Sequence, residues 1–175
     1  MVTCYLGNEQ YGNIFGVDVA LGEPILGAPE IIVAADRLAF IGVEAPKLRV
    51  YPIESHIAEK LHAYTLPRSG PNGRVKDLPD LALLAQIRPI GRTELRGALQ
   101  QTFHFRAVHP LPTRFPDPPG LWEQSYAALA RDNHLQWATL VEVTAAARAF
   151  VEPVLGDASA AEWDPAAWAW RAAAG

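Results

Sequence analysis

The chain changes its hydrophobic period once, at Pro52, and that change divides it. Before Pro52 the apolar residues alternate with small or polar ones; after it they recur every three or four positions. In the stretch from Ile14 to Leu21, Phe15, Val17, Val19 and Leu21 share one face, and Ile14, Gly16, Asp18 and Ala20 the other. An apolar face of this kind must pack on a core, which leaves Asp18 on the opposite side among small neighbours. Met1 to Leu6 also reads as a strand, as do Ile31 to Val33, Arg37 to Val43 and Lys47 to Tyr51, each bounded by Gly or Pro.

Past Pro52, Ile53, Ile57, Leu61 and Tyr64 form one helical stripe. A loop rich in Gly, Pro and Asn follows from Arg68 to Arg74, and a second helix is expected from Asp77 through Leu84. Thr93 is the expected cap of a third, carrying Leu95, Leu99 and Phe103. His109 to Pro119 holds five prolines and reads as an extended connector. Further helices carry Trp122, Tyr126 and Leu129, then Leu140, Val141 and Phe150. The Ala- and Trp-rich tail is expected either to dock a short helix through Trp163, Trp168 and Trp170 or to fray. The expected class is α+β: a partial sheet over residues 1–51, a helical part over 52–155 and a tail over 156–175.

With 175 residues, half of them hydrophobic, the chain can bury one real core. Its net charge of -4 provides no whole-protein attraction to nucleic acid or anionic membrane, so any contact with phosphates must come from a local cluster. The single cysteine, Cys4, excludes a disulfide framework and points to the cytoplasm. No apolar run approaches the roughly 20 residues needed to span a bilayer, and the first residues lack the basic and apolar regions of a signal peptide.

Lys60 falls at the border of the Ile53/Ile57/Leu61/Tyr64 stripe, where it can either lay its methylenes on the core edge as a surface lysine or present its ammonium to a cleft. Asp77 and Asp80 lie one helical turn apart. They can serve as a cap and a partner to the helix dipole, or as an acidic pair. Arg68, Arg74 and Lys76 surround the Gly-rich loop, either as a solvated loop or as a grip on phosphates. His56, Glu59 and His62 lie on the outer arc of the first helix and fan over roughly 120°, too widely to converge on one ion. There is no phosphate-cradling Gly-x-x-x-x-Gly-Lys loop, no Gly-x-Ser-x-Gly elbow, no His-Glu-x-x-His and no zinc-type cysteine spacing.

Three of these stretches fall in the order of one family's motifs. Phe15-Gly16-Val17-Asp18-Val19-Ala20-Leu21-Gly22 resembles the second motif of the AbiEii/AbiGii toxins. Tyr51 to Ala63, with Glu54 and Lys60 and followed by Arg68, is similar to the third. Arg74-Val75-Lys76-Asp77-Leu78-Pro79-Asp80-Leu81 with Leu84 resembles the fourth. Thr102-Phe103-x-x-Arg106 and Trp122-x-x-x-Tyr126 are similar to the family's helical C-terminal part.

The resemblance implies a nucleotidyltransferase-like mixed sheet followed by a helical bundle, in the toxin of a type IV toxin–antitoxin or phage-defence pair. It implies NTP as substrate, Mg²⁺, an acceptor such as tRNA and a cognate antitoxin. By the same resemblance Lys60 binds the triphosphate, and Asp77, with Asp80, is the acid of the fourth motif. Asp18 is a third carboxylate, as metal ligand or base, and Arg68, Arg74 and Lys76 steady phosphates. The family's first motif, Gly-Ser followed by Asp/Glu-x-Asp, has no counterpart before Asp18. The expectation is therefore a chain without that motif, weak in divalent binding and with an open sheet edge. An inactive homologue that keeps a nucleotide- or antitoxin-binding surface is the alternative.

Overall fold

The structure, a computed structural model, describes residues 1–17, 25, 27–68, 73–156 and 161–172. Strands β1 (Val2–Leu6) and β2 (Glu9–Phe15) form an antiparallel hairpin around Gly7, whose φ of 63° suits a residue without a Cβ. Strands β3 (Glu30–Val33) and β4 (Lys47–Val50) form a second, with Glu30 opposite Val50 and Val33 opposite Lys47. None of the described residues up to Tyr51 is buried.

Two strand expectations change here. Arg37 to Val43 is not extended: Ala39–Ile41 form a 3-10 turn that ends at Gly42, whose φ of 76° breaks any extended run. The alternating stretch from Ile14 contributes only its first two residues to β2; Gly16 and Val17 lie beyond the strand, and residues 18–21 lie outside the described residues.

The core begins at Ile53. Helices α1 (Ile53–Thr65), α2 (Asp77–Ala85), α3 (Arg92–Arg106), α4 (Glu123–Asp132) and α5 (Leu140–Leu155) carry nearly all of it. The apolar period places Ile57, Leu61, Leu78, Leu81, Leu99 and Phe150 fully inside. α1 packs against both α2 and α3, and α2 against α5. The chain is thus α+β with the strands in small antiparallel sheets. Among the described residues no helix is long and apolar enough to cross a membrane.

The helix ends show why the packing is tight. Thr139 and Glu142 form a reciprocal capping box at the start of α5, with bonds of 3.2 and 3.1 Å. At the other end of α5, Arg92 Nε donates to Pro153 O at 3.0 Å, and Arg96 Nη1 to Val154 O at 2.6 Å. These cations satisfy carbonyls that a helix C-terminus leaves free. Because Arg92 is drawn inward to do this, α3 starts at Arg92 with Gly91 as its cap, and Thr93 sits exposed in the first turn instead of capping it.

The tail takes neither expected form. β6 (Ala161–Asp164) and β7 (Ala169–Ala172) make a hairpin that adds β5 (Ile90–Gly91) as a third strand. Each indole finds a helical carbonyl: Trp163 Nε1 donates to Ala85 O (2.8 Å), Trp168 to Ala146 O (3.2 Å) and Trp170 to Phe150 O (2.8 Å). Asp164 Oδ1 accepts from the backbone of Ala166 and Ala167 and sets the turn. The proline-rich connector straps α1, with Tyr64 donating to Pro116 O at 2.8 Å and stacking on Phe115.

Candidate functional site

The contact between α1 and α2 brings Lys60 onto the two acids of α2. Lys60 Nζ lies 2.6 Å from Asp80 Oδ2 and 3.4 Å from Asp77 Oδ1. The side chain of Asp77 is only 3% exposed, against 27% for Lys60 and 35% for Asp80. Asp77 does not cap its helix: Lys76 holds that position, and the Asp77 carboxylate turns to Lys60. Arg74 Nη1 is 3.6 Å from Asp77 Oδ2, an ion pair too long for a hydrogen bond. Asp77 Oδ2 is a buried oxygen with no hydrogen-bond partner among the described residues.

The centre therefore holds two cations and two carboxylates. Burial alone would lower the Lys60 pKa, but the hydrogen bond to Asp80 and the charges of Asp80 and Asp77 outweigh it and raise it above the ordinary value. Its ammonium stays charged throughout the physiological range.

Asp80 stands between two clefts. One is lined by His56, Lys60, Asp80, Leu83, Leu84 and Ile87. The other is lined by Lys76, Pro79, Asp80 and Leu83, with Leu129, Asn133 and Leu135 across from them. Leu83 and Ile87 are exposed apolar walls that the sequence reading missed. The available signal was the position of Leu83, which falls off the Leu78/Leu81/Ala82/Ala85 spacing of the buried face of α2.

Of the residues singled out in the sequence, Lys60, Asp77, Asp80 and Arg74 come together, and Lys76 lines the adjoining cleft. Arg68 lies exposed beyond the end of α1. Asp18 lies outside the described residues. His62 is not on an outer arc. It is 3% exposed and packs edge-on to Phe103 (5.0 Å) and against His109 (4.6 Å), because α1 is covered by α3 and the connector as well as by α2. Burial first, then the charges of His109 and Arg106, push its pKa down to about 4.

The described residues hold no group of three His, Cys, Asp or Glu side chains placed to bind a metal ion. The two carboxylates present are both turned to Lys60. By themselves they do not make a divalent-ion site, which takes several oxygen ligands.

Comparison with curated proteins returns no match. A family model described as nucleotidyl transferase AbiEii toxin, type IV TA system, matches residues 3–174, nearly the whole chain. Such a toxin implies an NTP substrate, divalent-metal use and a cognate antitoxin. The matched span contains the Lys60–Asp77–Asp80 centre, and the chain belongs to the AbiEii family of nucleotidyltransferase-like toxins.

Proposed function

We propose that the Lys60 centre grips the triphosphate of an NTP and that the chain, acting in the cytoplasm, transfers the nucleotidyl group to an acceptor such as tRNA. In that reaction an acceptor hydroxyl attacks the α-phosphorus, its proton passes to a base, and pyrophosphate leaves. Charge grows on the phosphate oxygens, so fixed cations lower the barrier. Lys60 is the central cation, with Arg74, Lys76 and Arg68 steadying the outer phosphates. Asp77 and Asp80 hold Lys60 in place until substrate arrives. By the motif resemblance Asp18 supplies a further carboxylate, as base or metal ligand.

The observation that carries this reading is a part-buried lysine fixed by two acids at the mouth of a cleft. Ion-pair networks of purely structural kind also exist, but here the walls next to the pair, Leu83 and Ile87, remain open to solvent. Incubation with labelled NTPs, Mg²⁺ and bulk tRNA tests the proposal. Label transfer by the chain, lost in Lys60→Ala, supports it; no transfer from any NTP counts against it.

A second reading, an inactive homologue that keeps a nucleotide- or antitoxin-binding surface, is favoured by one observation: the Lys60 charge is already balanced by Asp77 and Asp80. NTP binding without transfer identifies it.

A further inference from the structure

We propose that the cleft between Trp137 and Trp168 is a stacking site for an unpaired base of a single-stranded RNA, an inference that rests on the reading of the chain as a transferase to an RNA acceptor. The cleft has a volume of about 500 Å³ and is lined by the two tryptophans, by Ala145 and Ala146 of α5, and by Gln86 and Gln136. That is the size of a small-ligand site, about 300–1,000 Å³. The indole rings stand 5.6 Å apart, tilted by 55°, and both are half-buried.

Trp168 holds its place against a backbone penalty. Its φ of 52° is left-handed, which is unfavourable for a bulky side chain. Asp164 already sets the turn, and Trp163 and Trp170 already dock the strands. Docking therefore leaves the strained placement of a third indole unexplained. Its N–H donates to Ala146 O at 3.2 Å, so what it offers a ligand is ring surface.

The polar groups select a base. Gln86 and Gln136 are exposed, and neither carboxamide has a hydrogen-bond partner among the described residues. A carboxamide both donates and accepts, as the edges of nucleobases do. A polyproline peptide, which also docks in aromatic grooves, offers carbonyl acceptors alone. Among the described residues no charged side chain lines the cleft, which suits a neutral ring.

The position ties this cleft to the Lys60 centre. Leu83 and Gln86 lie one turn apart along α2, and Leu135 directly precedes Gln136, so the cleft beside Lys76 and Asp80 continues towards the tryptophans. From Asp80 to Gln86 the helix rises about 9 Å. A strand with its end at the centre covers that in about two or three nucleotides, at a stacked rise of about 3.4 Å.

Fluorescence anisotropy of a labelled single-stranded RNA hexamer with the full chain tests the site, beside an abasic hexamer and an NTP titration. The abasic hexamer should bind at least about tenfold more weakly. Trp168→Ala should weaken RNA binding by about tenfold, and Gln86→Ala with Gln136→Ala by about fivefold, both with NTP affinity unchanged. Equal affinity for the two hexamers, no RNA binding, unchanged RNA affinity in either folded variant, or tighter binding of a proline decamer overturns the proposal. Should Trp168→Ala fail to fold, the abasic hexamer and the exposed glutamine pair decide. NTP binding without base-dependent RNA binding sinks this inference alone; base-dependent RNA binding without NTP binding supports the stacking site and sinks the transferase reading.

Discussion

The ammonium of Lys60 sits 2.6 Å from Asp80 Oδ2, the part-exposed acid, and 3.4 Å from Asp77 Oδ1, the buried one. The two acids therefore depend on the lysine unequally. Asp80 can turn to water if Lys60 is lost, while among the described residues Asp77 keeps Arg74, at 3.6 Å. Lys60→Ala is expected to lower stability by about 1–3 kcal/mol, the cost of leaving a buried charged acceptor short of a donor. Asp80→Ala is expected to cost less than about 1 kcal/mol, as for other part-exposed pairs. Urea denaturation of both variants checks the order.

Acid sensitivity should arise at the His62–His109 contact. In the unfolded chain an imidazole titrates near its ordinary value of 6.5, whereas folded His62 titrates at about 4. Between these values the unfolded state binds more protons, so the contribution is complete above pH 6.5 and is lost as pH falls towards 4. The slope is at most about 1.4 kcal/mol per pH unit for this group. His109 is lowered in the same direction by burial. Thermal melts from pH 7 to pH 4.5 should show a declining Tm, and His62→Leu should flatten the decline.

Arg96 Nη1 holds three carbonyls at the end of α5, those of Val154, Leu155 and Gly156. Arg96→Ala strips several charge-assisted bonds from one helix terminus and is expected to cost about 1–3 kcal/mol. Arg96→Lys should recover only part of that, since an ammonium lacks the planar fork. Equilibrium unfolding measures both.

Trp163 is fully buried and its indole bonds to Ala85 O. Trp163→Ala is expected to destabilise by about 3–5 kcal/mol through the cavity and the unsatisfied carbonyl. Calorimetric melting is the readout, and a drop smaller than that of Arg96→Ala would contradict the role given to the C-terminal hairpin.

The helices were legible because their apolar periods are long and regular: Ile53, Ile57, Leu61 and Tyr64 in α1 all pack inside. The Lys60–acid centre was legible only through ordered motifs, since spacing within α1 or α2 says nothing about which turn of one meets which turn of the other. His62 was misplaced because a one-stripe pattern does not reveal that α1 is covered on further sides by α3 and the connector. The tail misled because alanine favours helix, while the decisive interactions were indole bonds to carbonyls of α2 and α5, distant in sequence. Arg37 to Val43 failed as a strand because Ala39–Ile41 wind into a 3-10 turn that the left-handed backbone of Gly42 closes.

Calorimetric titration of NTP into the wild-type chain and into Lys60→Ala tests the central claim most directly, with circular dichroism confirming that the variant keeps its helices. The account predicts measurable binding to the wild type and a loss of about tenfold or more in affinity when the ammonium is removed, equivalent to about 1.4 kcal/mol. Equal affinity for both proteins, or no binding of any NTP to the wild type, would contradict it.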